Sequence, residues 1–237
     1  VGSLAGDSTD DGQRNTGLGM YSLNANCDND NTAAGYGALI NLTGAHSVAV
    51  GSNAGGSATS GNNNIFLGKD SGVTGSPGGN QTTGSNEIFL GDENITDFNC
   101  QVSLTVASDQ RDKTDFTALD LGMNFVKALK PYTFKWDKRS KYIDKTDPSV
   151  DLDKVTTDGT HKEDWLDLGF KAQDVKALEE ASNYKIADKT NLTVSVSGDG
   201  KQYGMRYAKL VPILVKAIQE QNALIEALTS RVATLEG

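Results

Sequence analysis

Short apolar triplets closed by glycine recur through the first hundred residues. They are Asn15-Thr-Gly-Leu-Gly19, Asn31-Thr-Ala-Ala-Gly35, Ser47-Val-Ala-Val-Gly51, Asn64-Ile-Phe-Leu-Gly68 and Glu87-Ile-Phe-Leu-Gly91. The closing glycines stand 16, 16, 17 and 23 residues apart, and Gly2 precedes Gly19 by 17. Three residues after each glycine comes a small or polar residue: Ala5, Ser22, Ala38, Ala54, Ser71 and Asn94. The long last interval holds a cluster of turn formers, Thr74-Gly-Ser-Pro-Gly-Gly-Asn80. A short, nearly fixed period predicts stacked units, each burying its apolar face against its neighbours. Each unit supplies a strand of about four or five residues, a glycine turn, a second short stretch and a polar loop. Small residues after the turn suit a narrow interior where coils approach closely. A flexible glycine/serine/asparagine linker is the competing view. Apolar triplets held in register count against it.

After residue 107 the pattern becomes that of an α+β domain. Leu121, Phe125, Val126 and Leu129 have helical spacing, so a helix is predicted over Leu119–Leu129, ended by Lys130-Pro131. Tyr132–Trp136 alternates aromatic and polar residues as a strand does. Residues 137–164 are charged and poor in apolar side chains, and read as a loop or hairpin insertion. Leu168–Gln173 leads into a short helix over Asp174–Ala181. A hairpin is predicted from Leu192–Val196, the turn Ser197–Gly200 and Gln202–Met205.

The clearest helix runs from Tyr207 to Leu235, with Pro212 tolerable only in its first turn. Leu214, Ile218, Gln221, Ile225, Leu228, Val232 and Leu235 follow a heptad seam. A coiled coil is expected, against the alternative that this stripe packs on its own domain. The β-branched and leucine positions lean towards two strands by themselves, and the number stays open.

Charge follows the same boundary. Residues 1–107 carry two basic side chains, Arg14 and Lys69, against ten acidic ones, and hold nineteen of the 26 glycines. Nearly all the net charge of −9 lies there. Phosphate binding needs a basic footprint, so nucleic acid is not an expected partner. No apolar run is long enough for a membrane span or a signal peptide. The start at Val1-Gly2 enters mid-pattern, as the carboxy-terminal fragment of a longer protein would. Cys27 and Cys100 fit no metal or redox spacing, and His46 and His161 are isolated. Asp7–Asp11 and Asp28–Asn31 lack the glycine and distal glutamate of a calcium loop and read as solvated acidic loops. No cofactor and no metal is expected.

The candidate chemistry sits at the boundary, in Ser108-Asp-Gln-Arg-Asp-Lys113. Ser108 is a possible nucleophile and Lys113 a possible base. A lysine works as a base only when neutral, which burial or a neighbouring cation promotes, and Arg111 offers that cation. Asp109 and Asp112 oppose it unless they face outward or pair with arginine. Five residues apart on a helix, the two side chains would diverge by about 140°. The pair therefore requires a turn or a bent strand.

The amino-terminal repeat resembles the left-handed β-roll of trimeric adhesin heads and phage fibre shafts. Four pieces of the second half together resemble the intramolecular chaperone of the endosialidase and phage tail-spike type, an auto-processing serine peptidase family. They are Ser108–Lys113, Ala128-Leu-Lys-Pro-Tyr-Thr-Phe-Lys-Trp136, Leu168-Gly-Phe-Lys-Ala-Gln-Asp-Val175 and Tyr207–Gln221. The resemblance implies a trimeric domain that sets three fibre chains in register. It then cuts itself free through a serine-lysine dyad, Ser108 and Lys113. Ala107, Asp109 and Arg111 would neighbour the cut. Ser108 reaches the Ala107 carbonyl through a five-membered ring and its own only through a four-membered one, so a cut after Ser108 would need another route; the side that is cut stays open.

The expected architecture is thus mixed. Residues 1–107 form an all-β, solenoid-like shaft of a trimer, 108–205 an α+β chaperone domain, and 206–237 a trimerising coiled-coil helix. The expected function is that of the distal part of a phage tail fibre or spike, assembled in the host cytoplasm and carried on the virion. Its partners would be two further copies of the chain and a glycan or protein receptor on the host surface, without membrane insertion. Two alternatives are a bacterial trimeric surface adhesin and a non-cleaving trimerisation module of a carbohydrate-degrading spike.

Overall fold

The structure is a computed structural model and describes residues 1–145, 147 and 150–237. The chain forms two compact units. One comprises Val1–Asp97, Lys135–Asp167 and Val196–Tyr203, the other Phe98–Phe134, Leu168–Ser195 and Gly204–Gly237.

The repeats of the first unit build a parallel β-solenoid. Strands β1 (Thr16–Leu18), β2 (Thr32–Ala34), β3 (Val48–Val50), β4 (Ile65–Leu67) and β5 (Ile88–Leu90) stack in sequence order as one five-stranded parallel sheet. Equivalent residues of the repeat are in register: Gly17, Ala33, Ala49, Phe66 and Phe89 form one row, and Leu18, Ala34, Val50, Leu67 and Leu90 the next. The middle row faces inward, with Ala33, Ala49 and Phe66 fully buried. The Phe66 and Phe89 rings stack with centroids 5.2 Å apart. Burying a side chain like Phe66 stabilises by roughly 1.5–3 kcal/mol. The small residues after the glycine line the same interior, since Ser22, Ala38, Ala54 and Ser71 are all fully buried.

The first residue of each triplet has a structural task. Asn15 Oδ1 accepts from the Asn31 N–H at 2.8 Å, Asn31 Oδ1 from Ser47 at 2.9 Å, Ser47 Oγ from Asn64 at 3.2 Å and Asn64 Oδ1 from Glu87 at 3.0 Å. This ladder satisfies backbone donors that a narrow coil would otherwise bury without partners. The closing glycines stack directly. Gly51 has φ +134°, and a Cβ there would stand 2.6 Å from the Gly68 carbonyl carbon, so no other residue fits without moving the backbone. Tyr21, Leu23 and Leu39 also have positive φ. They are held there by backbone bonds across coils, such as Leu23 N–H to Ala38 O and Leu39 N–H to Ala54 O.

Lys135–Asp167 and Val196–Tyr203 belong to this first unit although they follow residue 108 in sequence. The charged stretch 137–164 contains two 3-10 turns, Arg139–Tyr142 and Leu152–Lys154. Its residues Thr146, Pro148 and Ser149 lie outside the described residues. Arg139 binds the stretch together, donating to the carbonyls of Leu152 at 2.8 Å and Lys201 at 2.7 Å.

The second unit has a separate core of Leu121, Phe125, Ala172, Val175, Val194, Leu210 and Ile213. Its elements are α1 (Met123–Ala128), β6 (Tyr132–Phe134) paired with β7 (Asp167–Gly169), α2 (Ala172–Ala181), β8 (Val194–Val196) paired with β9 (Tyr203–Met205), and α3 (Leu210–Glu236). Helix α1 is shorter than the predicted Leu119–Leu129. Gly122 precedes it without a capping side chain, and Glu220 of α3 accepts from the Met123 N–H at 2.7 Å instead. Leu129 is extended and precedes Lys130-Pro131. In α2, Glu179 is fully buried and accepts from the N–H and hydroxyl of Thr193 at 2.6 and 2.5 Å, and from the Leu192 N–H at 3.2 Å.

A 3-10 turn over Tyr207–Lys209 leads into α3, and Pro212 is its third residue, where no helical N–H is required. Only the first turns of α3 are covered, through Leu210, Ile213 and Ala217. The heptad stripe is centred about 60° round the helix from that face. Leu214, Ile218, Ile225, Leu228, Val232 and Leu235 are all exposed. The helix thus packs on its own unit by a stripe beside the seam, and the seam itself is uncovered in the single chain.

Candidate functional site

The stretch between the solenoid and α1 is exposed throughout residues 98–118. Within it Gln110–Asp112 form one 3-10 turn flanked by extended residues. Asp109 caps the turn, its Oδ1 accepting from the Arg111 N–H at 2.9 Å, and Lys113 follows with φ −128° and ψ 148°. A turn of three residues between extended ends folds the chain back on itself. It brings together side chains that a helix would separate.

Lys113 Nζ lies 2.6 Å from Ser108 Oγ and 3.2 Å from the Ser108 carbonyl oxygen. The proposed nucleophile and base are therefore in direct hydrogen-bond contact, within the reach required for proton transfer. Ala107 immediately precedes the pair. Arg111 is occupied by Asp109, with Nε at 3.1 and 3.2 Å from the two carboxylate oxygens and Nη2 at 2.6 Å from Oδ2. The guanidinium bond, then the Arg111 backbone N–H, hold the Asp109 carboxyl below its usual range, and Asp109 raises the Arg111 value in turn. Arg111 thus neutralises Asp109, whereas the sequence offered it as a cation for Lys113. Among the described residues no ion pair joins Asp112 to Lys113.

Other candidate residues lie elsewhere. Cys27 is buried and Cys100 exposed, and neither is in a disulfide. His46 Nε2 stands 3.6 Å from Asp30, which Arg14 also grips at 2.6 Å. His161 packs its ring edge-on against Tyr142. No described helix is long and apolar enough to cross a membrane.

Residues 108–184, beginning at the serine of this turn, match the family model described as chaperone of endosialidase. The chain carries an endosialidase-type chaperone domain. Searches of curated proteins and of solved structures each returned no match. The domain's family is associated with phage tail spikes and implies oligomeric assembly, which gives the chain a chaperone role in a tail-spike-like protein. The matched segment contains the Ser108–Lys113 contact, α1, the β6–β7 pair and α2.

Sequence reasoning passed over two side chains that organise the chaperone domain and its surroundings. Nothing in the spacing of Glu179 and Glu220 marks an inward carboxylate. The only available hint was the neighbourhood of each: Glu179 sits beside apolar Leu178 on a short helix, and Glu220 borders the stripe Ile213-Ala217.

Proposed function

We propose that the chain is the carboxy-terminal part of a phage tail fibre or spike. Its chaperone domain assembles three chains into register and then severs itself by one cut beside Ser108. The observation that carries this is the 2.6 Å contact between Lys113 Nζ and Ser108 Oγ at the start of the family match.

The trimer draws support from two exposed apolar faces. One is the seam of α3, whose 4-3 spacing is that of a coiled coil. The other is a ladder on the solenoid, where Leu18, Val50, Leu67 and Leu90 are exposed in one row. Monomeric proteins seldom leave long apolar stripes uncovered. Repeating coils are alike, so slipping by one coil costs little, and a registration device at one end answers that problem.

In the cut, the Ser108 hydroxyl proton passes to a neutral Lys113 amine while Oγ adds to the Ala107 carbonyl carbon. The C–N bond then breaks, Lys113 returns the proton to the Ser108 nitrogen, and an ester joins Ala107 to Oγ. Water hydrolyses the ester to the Ala107 carboxylate and restores the Ser108 hydroxyl. The second Lys113 contact, to the Ser108 carbonyl oxygen, favours the other side, since it polarises the Ser108–Asp109 peptide for attack by water. Covering the exposed turn on assembly would desolvate the amine and favour its neutral form. Cutting would then follow assembly.

Intact mass and denaturing gels of the wild-type chain, Ser108→Ala and Lys113→Ala provide the test. Cleavage is expected in the wild type alone, and the two sides of Ser108 give fragments differing by one serine. A wild-type chain that assembles yet stays whole overturns the self-cleavage.

A further inference from the structure

The chain on the far side of the cut is not confined to the chaperone's own core. Lys135–Asp167 and Val196–Tyr203, both beyond Ser108, pack with the solenoid in one compact unit. They meet it at its last coil and at the excursion that lengthens the last repeat. A Cβ on Gly75 would stand 2.5 Å from the Ser140 Cβ, and one on Gly79 2.5 Å from the Ser197 Cβ, so backbone and side chain touch closely. The Asn80 N–H donates to Asp199 at 3.1 Å.

Charge concentrates at the coil's end. Glu93 is 7% exposed, its carboxylate lies 2.5 Å from Lys145 Nζ, and its carbonyl accepts from Lys138 Nζ at 2.9 Å. Lys138 also holds Glu163 at 2.7 Å, and Lys141 bonds the Asn94 side chain. A carboxylate this buried requires its cation, and losing one partner of such a pair is costly.

We propose that these contacts form a latch that keeps the severed chaperone docked on the solenoid. Cutting beside Ser108 and releasing the chaperone are then separate events. The docking site is the last coil, with Glu93 as its centre, and the partner is the lysine-bearing segment of the same chain. The inference rests on the proposed cleavage only for the origin of the break. Before the cut the latch is intramolecular and closes at high effective concentration. Afterwards it holds by its own affinity.

The test makes the break independently of Ser108. A foreign protease site is placed in the exposed stretch 98–107 of full-length Ser108→Ala protein, and the cut product is run on gel filtration. Co-elution of both fragments is expected with the latch intact. Lys138→Met with Lys145→Met should weaken fragment affinity roughly a hundredfold and separate them. Lys145→Glu alone should also separate them, and adding Glu93→Lys to it should restore co-elution, which guards against simple misfolding of the lysine variants. Separation with the native latch overturns the proposal. So does co-elution that ignores the lysine substitutions, or a swapped pair that fails to rescue. Absence of self-cleavage in the unaltered chain would instead count against the proposed function and leave this result standing.

Discussion

Replacing Glu179 with alanine tests how the chaperone domain is held together. The substitution deletes the acceptor for three donors: the Thr193 N–H, the Thr193 hydroxyl and the Leu192 N–H. Thr193 is fully buried, so its two donors find no water, whereas Leu192 is half-buried and can turn to solvent. Each buried donor without a partner costs roughly 1–3 kcal/mol. Removing a carboxylate also returns part of what its burial cost. The net loss expected is about 2–4 kcal/mol. For a unit near a hundred residues that lowers the melting temperature by roughly 10–20 °C. Thermal melts by circular dichroism at one fixed protein concentration measure it, since assembly makes melting concentration-dependent. Adding Thr193→Val to Glu179→Ala removes the stranded hydroxyl and should recover about 1 kcal/mol. A Glu179→Ala chain within roughly 0.5 kcal/mol of wild type would show that the buried carboxylate is not the anchor described here.

Two further outcomes follow from other parts of the molecule. Asn at Ile225 and Leu228 should leave the helix content of a single chain intact, because both are exposed in it. The same change removes roughly 1.5–3 kcal/mol per side chain from a contact between chains. Light scattering on dilution should then show a smaller assembly, and an unchanged mass would refute the seam as the interface. At Asp92, burial raises the pKa, but hydrogen bonds from the Asn94 backbone and amide, with the charges of Lys145 and Lys69, outweigh it and leave the value below normal. Its contribution is therefore present above the ordinary carboxylate range and lost as pH falls through the lower folded value. Asp92→Asn should be destabilised at neutral pH and draw level with wild type in strong acid. Urea midpoints at the two pH values check this.

The solenoid was legible because its period is written in residues that tolerate no substitute. Gly51 and its equivalents need positive φ and direct stacking, and Ala38 and Ala54 fit an interior with no room for more. The corners at Tyr21, Leu23 and Leu39 were not legible, since bulky residues at positive φ are held by bonds from neighbouring coils and not by any local preference. For Ser108 and Lys113 the sequence set only a condition, that a five-residue separation needs a turn between them to bring the side chains together, and Gln110–Asp112 form such a turn. The partner of Arg111 was not fixed in advance, because two aspartates flank it at equal right to its charge. The lysines of 137–164 lie in a stretch legible only as a charged loop or hairpin insertion. Their targets at Glu93 and Asn94 lie more than forty residues away, beyond any periodic signal. In α3 the heptad drew attention to the longer stripe, and the shorter buried one at Leu210, Ile213 and Ala217 overlaps it too closely to separate by spacing alone.

The direction of the bonds between coils has a mechanical consequence. Gly35 N–H to Leu18 O, Gly51 N–H to Ala34 O, Gly68 N–H to Val50 O and Gly91 N–H to Leu67 O, all at 2.7–2.8 Å, point along the stack, as does the asparagine ladder. A pull along that axis loads every bond of a junction at the same moment. A pull applied at one corner of a coil opens them singly. The solenoid is therefore built to carry tension from end to end and to yield to peeling from its rim.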